Sequence, residues 1–239
     1  MASAERQALS FDSARKIPVY TWGEGPAVLL AHGWSGRGSQ MSSFVGPLVE
    51  RGFSVVTFDA PGHGEADGKR SGLPEMVSTI ELVASHIGGV HAVVAHSLGT
   101  SATTLALARG LDVARAVYIA PTENPGEYLF KVAELLGFST RAAQVARDRM
   151  ERRFGAPFQD AIGTVLASEL EVPLLVIHDL LDREVPHDDG QRLAAVWPGS
   201  ELMTTSGLGH GRILGDASVI DAVVRFVTDG VVLTNPARE

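Results

Sequence analysis

Ala92-Val93-Val94-Ala95-His96-Ser97-Leu98-Gly99-Thr100-Ser101-Ala102-Thr103-Thr104-Leu105-Ala106-Leu107-Ala108 is the stretch on which the reading of this chain turns. An apolar run hands over, at His96-Ser97-Leu98, to a segment rich in Ala, Thr and Leu. Ser97 stands two positions from a small residue on either side, Ala95 and Gly99. A strand that turns directly into a helix holds such a serine in strained backbone geometry, and only small neighbours fit the turn. Its hydroxyl is then presented at a helix N-terminus, where the dipole and the next backbone N–H favour an oxyanion. Ser97 is thus a candidate nucleophile for acyl transfer.

Working outward, short apolar runs recur at Ala27–Ala31, Ser54–Phe58, Ala92–Ala95, Ala116–Ala120, Leu174–His178 and Glu201–Thr204. Helical patterns over 39–51, 74–88, 98–109, 188–197 and 216–229 separate or follow them. Continuous apolar strands joined by helices predict an α/β fold with a mostly parallel sheet covered on both faces. Residues 5–21 alternate around Asp12-Ser13-Ala14-Arg15, which predicts an antiparallel hairpin at the start. Between Pro121 and Pro173 the rhythm breaks: helical patterns cover 126–137, 139–153 and 158–168, with no strand. This organisation reads as one discontinuous core domain (1–121 and 170–230), a helical lid inserted at 122–169, and a loose tail at 231–239.

Composition narrows the function. The chain has 239 residues, 45% of them hydrophobic, enough for one sizeable core. Without Cys it has no disulfide, thiol nucleophile or thiolate metal site. Net charge is −8, and the one dense basic stretch, Arg141 to Arg153, also carries Asp148 and Glu151. No nucleic-acid partner is expected from that pattern. The first residues lack a signal-like apolar core and the apolar runs are too short to span a bilayer, so a cytoplasmic protein with no membrane partner is expected. The oligomeric state is open. A dinucleotide-binding reading fails because Gly36-Arg37-Gly38 lacks the third glycine of its fingerprint.

A serine hydroxyl barely ionises at neutral pH and needs a base, usually His, which in turn needs an acid to fix its tautomer. Two loops downstream supply candidates. His178-Asp179-Leu180-Leu181-Asp182 leaves one apolar run, and Gly207-Leu208-Gly209-His210-Gly211 precedes the last helix. Asp179 and Asp182 both stand as possible acids, whereas Asp188 and Asp189 suit the start of the next helix. His32, His63 and Asp59 read as braces beneath the site rather than metal ligands. His86 and His91 flank a helix–strand connection away from the motifs, and Trp22 and Trp197 read as structural.

In order along the chain, His32-Gly33-Trp34, Asp59-Ala60-Pro61-Gly62-His63-Gly64, the turn at Ser97, and the Asp182 and His210 loops resemble the α/β-hydrolase superfamily. The likeness is to a small-lid, serine-esterase-like member and covers nearly all of the chain. It implies Ser97 as nucleophile, Asp182 as acid and His210 as base, with the backbone N–H groups of Trp34 and Leu98 as the oxyanion hole. It implies no metal and no cofactor. The chain departs at Ala95, where the commonest family pattern has Gly; alanine is still small enough for the turn. His96 and the lid aromatics Tyr128 and Phe130 are candidate pocket residues, and Phe138 belongs with them as a lid aromatic. The expected activity is hydrolysis of small carboxylic esters, with water as second substrate. Of the motif loops' basic residues only Arg37, Arg183 and Arg212 are present, which offers no evident carboxylate clamp and favours uncharged esters. The same triad supports thioester, lactone, amide or carbon–carbon cleavage, or a hydrolase-fold sensor of small molecules with little turnover.

Overall fold

Each apolar run becomes a strand of one sheet in the computed structural model, which describes residues 3–155 and 157–229. The strands are β1 (Glu5–Ser10), β2 (Lys16–Trp22), β3 (Ala27–Ala31), β4 (Ser54–Phe58), β5 (Ala92–His96), β6 (Arg115–Ile119), β7 (Leu174–Asp179) and β8 (Glu201–Thr205). Their spatial order is β1-β2-β4-β3-β5-β6-β7-β8. β1 and β2 form the expected hairpin, whose turn is held by Asp12 Oδ1 accepting the N–H groups of Ala14 and Arg15 at 2.9 and 2.8 Å. β2 also runs antiparallel to β4, and the remaining pairs are parallel. The tail expected over 231–239 lies outside the described residues.

Parallel neighbours need crossovers, which here are helical: α1 (Val45–Val49), α2 (Leu73–His86), α3 (Leu98–Ala108), α4 (Pro125–Leu135), α5 (Thr140–Phe154), α6 (Gly163–Ala167), α7 (His187–Val196), α8 (Gly209–Arg212) and α9 (Ala217–Thr228). They cover both faces, so β5 and β7 are buried along their whole length. Successive residues of β5 feed opposite layers. Val93 and Ala95 join Val77, Ile80 and Ala102 of α2 and α3, whereas Ala92 and Val94 join Leu48 of α1 and Val223 of α9. That two-residue period is what a pleated strand with two packed faces requires.

Two segments read as single helices are broken. Over 39–51 the chain forms a 3-10 helix, Gly38–Phe44, before the short α1. Pro47 has no N–H to give back to the preceding turn, so an α-helical ladder cannot run through it. Over 158–168 a 3-10 turn, Phe158–Ala161, precedes α6, with Ile162 extended between them. The N–H of Gly163 donates to the Glu123 carbonyl at 2.8 Å instead of continuing the helix.

The insertion between β6 and β7 consists of α4, α5, this turn and α6. Asn124 caps α4 by accepting from Gly126 and Glu127 N–H, and Ser139 caps α5 by accepting from Ala142 N–H. At its root, Glu123 Oε1 accepts the Thr164 hydroxyl at 2.6 Å, and Asp189 in the first turn of α7 accepts Glu123 N–H at 3.2 Å. All the motif loops lie beyond the carboxyl ends of the parallel strands, where such sheets bind ligands. Among the described residues no helix is long and apolar enough to cross a membrane.

Candidate active site

β5 delivers Ser97 to the centre of the sheet. Its backbone has φ 52° and ψ −127°, a conformation that L-residues rarely adopt and that costs about 1–3 kcal/mol. Neighbouring structure enforces it: Ser97 N–H donates to the Ile119 carbonyl at 3.0 Å, and Thr100 N–H donates to the Ser97 carbonyl at 2.9 Å as α3 begins. Ala95 is fully buried, so its small side chain is accommodated where a larger one would meet packed neighbours.

The loop after β3 lies directly against this turn. A Cβ on Gly33 would stand 2.9 Å from Ser97 Cβ, and one on Gly99 would stand 2.5 Å from the His32 carbonyl oxygen. Glycine at both positions is therefore what lets loop and turn touch. His32 is buried, its Nε2 accepting Ala60 N–H at 3.1 Å while Nδ1 donates to the Gly33 carbonyl at 2.7 Å. Burial pushes its pKa down to about 4, so the ring is a neutral strut between two loops. Asp59 does similar work, accepting Gly38 N–H and Glu65 N–H, each at 2.8 Å. Leu98, the first residue of α3, and Trp34, next to Gly33, flank Ser97 from the two sides of this junction.

The two candidate acids separate cleanly. Asp182 Oδ2 accepts from His210 Nδ1 at 2.7 Å, and its Oδ1 accepts the N–H groups of Glu184 and Val185 at 2.8 and 3.0 Å. Burial pushes its carboxyl up, but donation from His178, His210 and Val185 outweighs this and holds it well below the usual range. Asp179 touches no ring. It accepts from Leu181 N–H at 2.9 Å, the Thr205 hydroxyl at 2.8 Å and Leu208 N–H at 3.0 Å. Burial raises it too, and the donors from Leu208, Gly209, Thr205 and Leu181 bring it down to about 2. Asp179 thus fastens the loop that carries His210, and Asp182 meets the imidazole.

His96 sits under His210: its Nε2–H donates to the His210 carbonyl at 3.0 Å and the rings lie 4.7 Å apart. Burial and the facing His210 push its pKa down to about 3, which keeps it neutral. From the insertion, half-buried Tyr128 stands near Ser97 and Glu184; burial and Glu184 raise its pKa, and the Ser97 side chain acts the other way. Among the described residues Ser97 makes no hydrogen bond to His210 in this arrangement; catalytic hydrogen bonds often tighten only when substrate binds. Phe130 lies half-buried on α4, and Phe138 is exposed beyond its end.

His178 escaped the sequence reading. Wholly buried at the end of β7, it donates from Nε2 to the Val185 carbonyl at 3.2 Å and lies 3.4 Å from Asp182 Oδ2. A histidine four residues before the acid on a buried strand was its only signal. Trp197 and Trp22 have packing roles, against Tyr118 and Tyr20, and His91 packs on Phe53. No group of three or more potential metal ligands occurs among the described residues. A cavity of about 460 Å³ opens beside His210, bounded by Leu181, Arg183, Glu184 and the 207–212 loop.

Comparison with known proteins agrees with this architecture. The profile of the alpha/beta hydrolase family matches residues 28–225. Pimeloyl-[acyl-carrier protein] methyl ester esterase of Xanthomonas campestris pv. campestris (strain B100) is 29% identical over 249 residues, spanning 86% of this chain and 96% of its own. A 2-hydroxy-6-oxononadienedioate/2-hydroxy-6-oxononatrienedioate hydrolase of Klebsiella pneumoniae subsp. pneumoniae is 28% identical, spanning 82% of this chain and 84% of its own. Among solved structures, a bromoperoxidase from Bacillus anthracis superposes with a TM-score of 0.73 at 19% identity, covering 94% of this chain and 100% of that one. These likenesses support an activity of the serine-hydrolase type.

Proposed function

Because the chain belongs to the alpha/beta hydrolase family, we propose that it cleaves small carboxylic esters through an acyl-enzyme on Ser97. The observation that carries this reading is the 2.7 Å contact between Asp182 Oδ2 and His210 Nδ1, on loops that converge on the strained turn at Ser97. With Nδ1–H held by the carboxylate, Nε2 is left as the base. Ser97 Oγ then attacks the acyl carbon as its proton passes to His210 Nε2, and the carbonyl oxygen becomes an oxyanion facing the N–H groups of Leu98 and Trp34. Each such donor is worth on the order of 3 kcal/mol in the transition state. The tetrahedral intermediate collapses, the C–O bond to the alcohol breaks, and His210 returns its proton to that oxygen. Water, deprotonated by His210, attacks the acyl carbon; the bond to Ser97 Oγ breaks, His210 returns the proton to Oγ, and the carboxylic acid leaves.

The test is a chain-length series of p-nitrophenyl esters given to the wild type and to Ser97→Ala. Turnover that peaks at short acyl chains and vanishes in the variant is the expected result. A burst of acylation surviving in folded Ser97→Ala would place the nucleophile elsewhere. Failure of the folded wild type to cleave any member would remove the ester assignment.

A further inference from the structure

The sequence motifs contain no carboxylate clamp, yet folding gathers basic side chains around a cavity next to them. The loop beyond β4 and the inserted helix α5 face each other across a cavity of about 470 Å³ at the Trp34 loop. Lys69, Arg70 and Ser71 line it from the core, Arg149 and Arg153 from the insertion, and Trp34 also lines it. No carboxylate lines it among the described residues, although the chain as a whole carries a net charge of −8. Arg153 is 3.6 Å from Glu75, which also accepts Gly72 N–H. Lys69, Arg70 and Arg149 have no ion-pair partner among the described residues.

A second, independent observation points the same way. Ser71 Oγ is closed off from solvent and has no hydrogen-bond partner among the described residues. A hydroxyl withdrawn from water and left unpaired is unfavourable, and a turn of the Ser71 side chain into the cavity would let a ligand there supply the bond. Cations converging on an unpaired hydroxyl make a receptor for an anion with several acceptor oxygens, and guanidinium forks match a carboxylate in particular. The position fixes which part of a substrate reaches it. In ester cleavage the alcohol leaves toward the imidazole that protonates it, and a separate cavity lies beside His210. The cavity at Trp34 has none of the His210-loop lining, and Trp34 adjoins the Gly33 that packs against Ser97, which suits it to the acyl chain.

We infer that Lys69, Arg70, Ser71 and Arg149 form a subsite for a carboxylate at the far end of the substrate's acyl chain, so that the substrates are hemiesters of dicarboxylic acids. This rests on the ester-hydrolase reading above and narrows it. Since Arg149 belongs to the insertion and the other three residues to the core, bound carboxylate also ties the two together.

The experiment compares p-nitrophenyl hydrogen adipate and suberate with the same esters methyl-capped at the distal carboxyl, in wild type, Arg70→Met and Arg149→Met, with folding checked by circular dichroism. In the wild type kcat/KM favours the anionic ester by about tenfold or more, mainly through KM, and the preference shrinks as salt is raised. Each substitution reduces the anionic-to-capped ratio by about tenfold, as expected for loss of a charge-assisted hydrogen bond. Ser71→Ala reduces it by a smaller factor. A ratio near one in the wild type, or one untouched by both substitutions, overturns the subsite while leaving the esterase reading in place. If neither ester is cleaved, the esterase reading fails, and ligand-observed NMR with adipate monomethyl ester decides the subsite alone. Saturation transfer from the wild type that is lost in Arg70→Met/Arg149→Met upholds it, and no transfer from the wild type overturns it.

Discussion

Exchanging each of the two aspartates of the β7 loop for asparagine separates chemistry from architecture. In Asp182→Asn the amide oxygen keeps the bonds from Glu184 and Val185 N–H, and the amide NH2 faces His210 Nδ1. His178 Nε2, 3.4 Å from Oδ2, now faces the amide NH2 and the favourable carboxylate charge is gone, so stability should also fall, by about 1–3 kcal/mol. The imidazole, however, must now accept at Nδ1, which puts its proton on Nε2, the atom that has to take the Ser97 proton. The same exchange in a different triad costs about 10⁴ in kcat, and a loss of that order is expected here. Asp179→Asn differs in leaving the His210 Nδ1 partner in place. Its carboxylate serves Leu181, Thr205 and Leu208, and an amide can satisfy only one side, leaving an N–H donor facing another donor. The fall of the Asp179 pKa from 3.8 to about 2 corresponds to about 2 kcal/mol of stability, and the misplaced donor adds about 1–3 kcal/mol. Melting should drop by roughly 5–15 °C, with activity per folded molecule reduced far less than in Asp182→Asn. Because the folded pKa is depressed, the charge contribution is complete above about pH 4 and disappears as pH falls through about 2, so the gap between wild type and Asp179→Asn narrows in that window. Circular-dichroism melts across pH, paired with steady-state turnover of p-nitrophenyl acetate, read both quantities. An Asp179→Asn protein that melts normally but is silent, beside an active Asp182→Asn, would refute the assignment.

Three further outcomes follow from contacts around the strained turn. Ser97→Gly should be stabilised by about 1 kcal/mol relative to Ser97→Ala, since glycine adopts φ 52° without penalty; equal denaturation midpoints would show that the turn stores no strain. Gly99→Ala places a Cβ 2.5 Å from the His32 carbonyl and 2.8 Å from that of Ala31, both backbone atoms that cannot rotate away. It should cost about 1–3 kcal/mol and, by moving Trp34 N–H, about 10²-fold in kcat; unaltered kinetics would remove that loop from the oxyanion hole. His96→Phe keeps the ring packing but drops the bond to the His210 carbonyl, so kcat should fall about tenfold with KM little changed; a change confined to KM would make His96 a substrate contact instead.

What the sequence makes legible here is whatever one contiguous segment decides. Burial on both faces imposes an unbroken apolar run on each inner strand, so β3 to β7 stand out. The Ser97 turn announces itself because its steric demands fall on residues two positions away. The breaks at Pro47 and Ile162 are harder, since they depend on a missing donor and on a distant carbonyl at Glu123. Choosing between Asp179 and Asp182 from spacing needs the family pattern; in three dimensions Asp182 is the carboxylate that meets the His210 ring. Least legible is the basic cavity. Lys69 and Arg70 are separated in the chain from Arg149 by two strands and three helices, and nothing in local composition signals that they converge.

β8 is an edge strand, mostly exposed, held on one side by β7 alone. Its last residue, Thr205, donates its hydroxyl to Asp179, and two residues later begins the glycine-rich loop bearing His210. Fraying of this strand, or a slip by one residue of about 3.3 Å, would carry the imidazole out of reach while the buried inner strands stayed intact. Activity is therefore expected to be lost on warming through a local opening at the sheet margin before global unfolding, which parallel activity and circular-dichroism melts would read as two separate midpoints.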